Sequence, residues 1–250
     1  MKRFIDLLKD HYRYIRKCLA KYLLNSFKKY PLDSLLRIIN FSNAFNWDSI
    51  KVPKKVTNFE DLSFLFWNCP LNRGIIRMDF DEAAILYKTI KKINHPIGVE
   101  IGRNRGGSTV LLATAMGEGG KLISIDINSE NDETITTILG RIGVKDRVEL
   151  MVGDSKKIEG GTPLDFVFID GDHSYQGAKG DHLHWGKWVK NGGYIIHHDM
   201  ANGRFFSTQE KELRELRNDI LINQTSEIVI EEEVGSIVII RRISDSWTIF

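Results

Sequence analysis

Five of the seven histidines in this 250-residue chain lie between positions 173 and 198, flanked by Asp170, Asp172 and Asp199. Imidazole takes up a proton near neutrality, and imidazole and carboxylate both ligate divalent cations. Potential bases and metal ligands are therefore concentrated in one short stretch. A second set of residues lies upstream. Glu100-Ile-Gly102-Arg-Asn-Arg-Gly106-Gly-Ser108 has glycines that permit a tight turn and let a ligand approach the backbone. The dinucleotide fingerprint G-x-G-x-x-G would place glycine at 104, where Asn104 stands, and this counts against a pyrophosphate. Asp126 and Gly153-Asp154 follow. At a strand end, Asp126 can accept both hydrogens of a ribose diol, and Asp154 could hold an adenine amino group. Singly, each acid is as well explained by a helix N-cap or a solvated turn. In series they point to an adenosine site.

A regular frame must carry these positions, and after about residue 75 the chain alternates strand and helix. Asp79-Phe-Asp-Glu82 has the form of a capping box, and Ala83, Leu86, Ile90 and Ile93 share the helical face that follows, ended by Pro96. Strands are predicted over 97–101, 121–127, 148–152, 164–170 and 193–199. Helices are predicted over 108–116 and 134–142, and a third carries Trp185 and Trp188. Ser207-Thr-Gln-Glu210 is a second capping box, opening a charged helix that ends near Ile222. Strands 227–230 and 236–240 close the chain. Val234-Gly235 between them leaves room only for a tight hairpin, so this pair is antiparallel. The fold class is α/β: a doubly wound, mostly parallel, seven-stranded sheet with an antiparallel C-terminal hairpin. Such a sheet binds ligands beyond the carboxyl ends of its strands, near the reversal of strand order. Residues 1–76, where helical patterns alternate with irregular stretches, are expected to form a helical accessory segment before a domain of residues 77–250.

The motif Phe168-Ile-Asp170-Gly-Asp172-His173-Ser-Tyr175, followed by Asp181, Trp185, Asn191-Gly-Gly193 and His198-Asp199, resembles a known group. It is similar to the class I S-adenosylmethionine (SAM)-dependent methyltransferases, in particular the macrocin and mycinamicin type of sugar O-methyltransferases. The spacing Glu100-x-Gly102-x-x-x-Gly106 matches the first motif of class I methyltransferases. The resemblance covers roughly residues 75 to 242 and implies SAM as cofactor, bound through Glu100, Gly102, Gly106, Ser108, Asp126, Asp154 and Asp170. It also implies a divalent cation, magnesium or manganese, that holds the acceptor hydroxyls. By position, Asp170 and Asp199 are its ligands and His173 is the general base. His198 stands where the relatives have Asp or Glu, and an imidazole there favours manganese, iron or zinc over magnesium. His182 and His184 are expected on a helix surface, and His197, alternating with His198, on the opposite layer.

A sugar hydroxyl is a very weak acid, and a histidine of ordinary pKa, about 6.5, needs a cation's help to deprotonate it. The expected activity is O-methylation of a sugar, glycan or other polyhydroxylated small molecule. Two rivals remain at this stage: a nucleotide-dependent oxidoreductase, against which Asn104 counts, and a catalytically silent binding subunit, against which Asp170, His173 and Asp199 count. The net charge of +2 hides an asymmetry, since residues 1–30 carry nine Lys/Arg against Asp6 and Asp10. The rest is net acidic, which disfavours a nucleic-acid partner. The basic, aromatic-bearing segment suits either an anionic membrane surface at its cytoplasmic side or packing on the domain or on a second copy in a homo-oligomer. Cys18 and Cys69 are too far apart in sequence to suggest a metal pair or a disulfide framework. A cytoplasmic location is expected.

Overall fold

The computed structural model describes residues 50–66, 74–200 and 208–250. The basic segment 1–30, both cysteines and the Ser207 capping box lie outside these residues. Five helices and seven strands are described: α1 (Phe80–Lys91), β1 (Ile97–Ile101), α2 (Gly107–Ala115), β2 (Lys121–Asp126), α3 (Asp132–Arg141), β3 (Val148–Val152), β4 (Leu164–Ile169), α4 (Tyr175–Gly186), β5 (Val189–His197), α5 (Thr208–Asn223), β6 (Ile228–Val234) and β7 (Ile237–Arg242).

The sheet runs β3-β2-β1-β4-β5-β7-β6. Its first five strands are parallel, and β7 joins β5 and β6 antiparallel. This is the doubly wound, mixed sheet expected from the alternation. Strand order reverses between β1 and β4, so the loops after those strands diverge and open a crevice. Alternation within the strands sorts the side chains onto two layers. Phe166 and Phe168 of β4 and Ile196 of β5 pack with α1, α2 and α3, while Val167, Ile169 and Ile195 pack with α4 and α5. Leu62, Leu65, Ile75 and Ile76, which precede α1, are buried in the first of these layers.

Most boundaries fall within two residues of expectation, and the larger differences are in β5 and β6. Trp188 falls in the turn after α4, and β5 starts at Val189, four residues before the predicted Gly193. The same strand ends at His197, which leaves His198 and Asp199 in the loop beyond it. His198 N–H still donates to Ile169 O at 3.1 Å, so the loop leaves β5 alongside β4. The hairpin is antiparallel as predicted, but β6 runs to Val234, four residues beyond its predicted end, so Val234 pairs with Ile237 and the turn is Gly235-Ser236, with Gly235 at φ +60°.

Candidate active site

The strand ends surround a pocket of about 960 Å³. Gly102, Ser108, Asp126, Asp154, Asp170, His173, His198 and Asp199 line it, which brings together most of the residues singled out from the sequence. Glu100 and Gly106 lie behind its wall. Glu100 is fully buried and accepts hydrogen bonds from Ser108 Oγ (2.5 Å), Thr109 Oγ1 (2.6 Å) and Ser124 Oγ (2.5 Å). Burial pushes its pKa up, against the three hydroxyls that stabilise the charge. Gly106 packs against Ile135, which a Cβ would meet at 2.5 Å.

The loop after β1 is held from several sides. Gly102 has φ +87°, and a Cβ on it would fall 2.2 Å from Asp170 O, so only glycine fits beside the end of β4. Asn104 is left-handed at φ +46°, a conformation asparagine tolerates, and its N–H donates to Asp126 Oδ2 at 2.9 Å. Asp126 Oδ1 accepts from Asn128 N–H at 2.8 Å. Each carboxylate oxygen has a second lone pair, so the acid retains capacity for a ligand. Asp154 also caps the short turn Ser155–Lys157, accepting Lys156 N–H at 3.1 Å, and that contact holds its pKa below the usual range.

Arg103 is a residue that motif spacing did not single out. It is 1% exposed, forks onto Asp132 (2.7 and 2.6 Å) and donates to Ser124 O (3.0 Å) and Met151 O (2.8 Å). One guanidinium thus ties the loop to β2, β3 and α3. Ile127 is the second such residue. It lines the pocket while 83% exposed, an apolar side chain open to a flat ligand.

At the ends of β4 and β5, two imidazoles face one pair of carboxylates. His173 Nε2 is 3.3 Å from both Asp170 Oδ1 and Asp199 Oδ2. His198 Nδ1 is 3.1 Å from Asp170 Oδ1 and 3.6 Å from Asp199 Oδ2. Asp199 is also left-handed, at φ +58°, a conformation that aspartate, like asparagine, tolerates. On the far side of His198, Nε2 is 3.5 Å from Glu82 Oε2 of α1. Glu82 had been legible only as a capping-box acid.

Charges in this group shift one another strongly. Hydrogen bonding to Asp170 and Asp199 raises the His173 pKa to about 9 against the opposing effect of burial. Burial opposes the charge on His198 too, but Asp170 and Asp199 hold its pKa well above the usual value. Burial alone would raise Glu82, yet His198 and the N–H groups of Ser236 and Asp79 bring it down to about 2. Asp170 and Asp199 are likewise held low, chiefly by His198 and His173 working against burial. Asp170, His173 and Asp199 each offer a ligand atom within 4.8 Å of the others. His173 Nε2 lies 3.3 Å from an oxygen of each acid, and His198 Nδ1 is hydrogen-bonded to Asp170 Oδ1 at 3.1 Å, so imidazole nitrogens and carboxylate oxygens crowd one small volume. That arrangement suits a divalent cation.

The other histidines differ in part from expectation. His197 faces the α4–α5 layer, as its alternation with His198 implied. His182, expected on a helix surface, is fully buried. Its Nδ1 is 3.0 Å from His197 Nε2 and its Nε2 is 2.9 Å from Gln224 Oε1. The inward face of α4 carries Ala178, Asp181, His182 and Trp185. Two of these four are polar, so the apolar periodicity of the helix does not announce the burial of His182.

Residues 99–200 match the model of a methyltransferase domain family. A caffeoyl-CoA O-methyltransferase from Eucalyptus globulus is 30% identical over 153 residues, 56% of this chain and 60% of that one. A catechol O-methyltransferase from Mycobacterium tuberculosis is 32% identical over 109 residues, 42% of this chain and 48% of its own length. The chain thus spans about half to three-fifths of these relatives. The crystal structure of an O-methyltransferase from Bacillus cereus in complex with S-adenosylhomocysteine (SAH) shares the fold, at a TM-score of 0.51 and 21% identity over 67% of this chain and 84% of that one. Residues 99–200 therefore resemble a methyltransferase domain, and the sheet and helices around them have the Rossmann-like fold of a solved O-methyltransferase.

Proposed function

We propose that the protein transfers a methyl group from SAM to a hydroxyl of a sugar, glycan or other polyhydroxylated small molecule, with a divalent cation holding the acceptor. The observation that carries this reading is the convergence of Asp170, His173, His198 and Asp199 on one wall of the pocket whose other wall is the glycine loop and Asp126. The relatives' names support O-methylation as the reaction. The acceptors they are named for, caffeoyl-CoA and catechol, are not sugars, so the acceptor class rests on the strand-four motif.

SAM supplies a sulfonium-bound methyl group already activated for in-line displacement. On this reading Asp126 accepts the ribose hydroxyls, Ile127 covers one face of the adenine, and Asp154 accepts from its amino group. Alignment of the acceptor oxygen can supply about 7–11 kcal/mol of barrier lowering. His173 takes the hydroxyl proton at Nε2. As the site stands, Asp170 and Asp199 hold His173 at about 9, protonated and unable to act as a base at neutral pH. Asp170, His198 and Asp199 would hold the cation, whose charge would offset the carboxylates that raise His173 and would acidify the acceptor hydroxyl. The imidazole among these ligands favours manganese or iron over magnesium.

A second reading has a specific observation behind it, the Asp170–His173–Asp199 grouping. There His173 is itself a ligand and no base is assigned. One variant separates the two. His173→Ala should lower turnover about 10²–10⁴-fold, the usual loss for a general base, and retain Mn²⁺ binding. Loss of Mn²⁺ binding in the same variant favours His173 as ligand. Full activity in excess EDTA removes the cation from either account.

A further inference from the structure

We infer that Glu82, on α1 and remote in sequence from the other site residues, is the positioning residue for His198, fixing which imidazole nitrogen faces the cation. The inference rests on the metal-assisted reading above. A neutral imidazole has one N–H and one lone pair, and the partner of one nitrogen determines the role of the other. His198 Nδ1 donates a hydrogen bond to Asp170 Oδ1 at 3.1 Å, and its Nε2 is 3.5 Å from Glu82 Oε2. A cation at this position would take the place of the Nδ1 proton; a proton retained on Nε2 beside a carboxylate then fixes Nδ1 as the ligating nitrogen and makes the ring a stronger donor.

Glu82 is itself held in place. Its Oε2 accepts the Asp79 N–H at 2.7 Å, and its Oε1 accepts the Ser236 N–H from the β6–β7 turn at 2.6 Å. A Cβ on Gly235 would stand 2.3 Å from Glu82 Oε1, so the turn carries glycine where the carboxylate enters. The side chains of Glu82 and His198 are 5% and 6% exposed, and among the described residues Glu82 is the carboxylate beside His198 Nε2. A ligating Asp or Glu at position 198 would need no such neighbour. The histidine does, and α1 supplies it.

The test is a double-mutant cycle on the full chain, with Mn²⁺ affinity read by electron paramagnetic resonance and SAH affinity by calorimetry. Glu82→Gln should weaken Mn²⁺ binding about 10–100-fold, the usual loss for a group orienting a metal ligand, and leave SAH affinity within about twofold. In a His198→Ala background the same substitution should change Mn²⁺ affinity by less than about threefold. Equal losses in both backgrounds, or no loss in the wild-type background, overturn the inference and leave the metal reading standing. A wild-type chain that binds no Mn²⁺ removes both. A second measurement needs no variant: ¹⁵N-imidazole NMR of the Zn²⁺-loaded wild type should show the proton on Nε2 of His198. A metal-bound Nε2 overturns the assignment of Nδ1.

Discussion

At the scale of single residues, the clearest consequence concerns Asp126. Both of its oxygens already accept backbone N–H groups, from Asn104 and Asn128, so the carboxylate is oriented before any ligand arrives. Asp126→Ala should weaken SAH binding by about 1–3 kcal/mol through lost charge-assisted hydrogen bonds. Calorimetry would show this. The same instrument should detect no NADH binding to the wild type, and NADH binding without SAH binding would return the oxidoreductase reading. Residue types and spacing were enough to pick Asp126, and separately Asp170, His173, His198 and Asp199, because each ends or follows a strand whose hydrophobic run is easily read. Glu100 shows where spacing misleads. It occupies the motif position, yet its carboxylate is consumed by three hydroxyls beneath the loop.

At the scale of elements, the layer opposite the site makes its own prediction. Unfolded, His182 titrates near 6.5; folded, burial brings it down to about 4 and lowers His197 as well. Between those values the unfolded chain binds more protons than the native one, so this contribution to stability is complete above about 6.5 and is lost as pH falls towards 4. His173 has the opposite sign in the cation-free protein. Its folded value, about 9, lies above the unfolded one, so its contribution is present below 6.5 and fades as pH rises through 9. Two measurements separate them. Imidazole NMR should find His182 and His197 neutral at pH 5, and the urea midpoint of His182→Gln should fall less between pH 7 and pH 5 than that of the wild type. An equal fall in both proteins would reject the assignment.

Arg103 acts at the same scale, since it joins four elements through one side chain. Arg103→Ala strands Asp132 and two carbonyl groups and should cost about 3–5 kcal/mol, the range for breaking a buried ion pair. The urea midpoint measures it, and a loss below about 1 kcal/mol would mean that the loop holds without it.

For the molecule as a whole, the packing of residues 50–66 and 74–76 decides where a stable domain can begin. Leu62, Leu65, Ile75 and Ile76 are each at most 3% exposed in the layer shared with α1 and α2. At about 1.5–3 kcal/mol for each such side chain, a chain starting at residue 77 should be several kcal/mol less stable than one starting at residue 50. Thermal unfolding of the two truncations compares them directly, and equal midpoints would show that the earlier segment is dispensable. Among the described residues no helix is long and apolar enough to cross a membrane.

The order of strands and helices, the antiparallel hairpin and the cluster of titratable residues at the strand ends all follow from the sequence, because they depend on local periodicity and on short spacings along the chain. What tertiary structure alone decided are the contacts between distant segments. Glu82 meets His198 across 116 residues because α1 packs over the end of β5 and the hairpin turn (82 and 198 in the chain). His182 is buried because His197 and Gln224 give its two nitrogens partners that no local pattern announces. A capping box explains Glu82 and an amphipathic face would tolerate His182 at its edge. Only packing, which brings polar groups out of water and obliges them to find partners, gives each of them its second role.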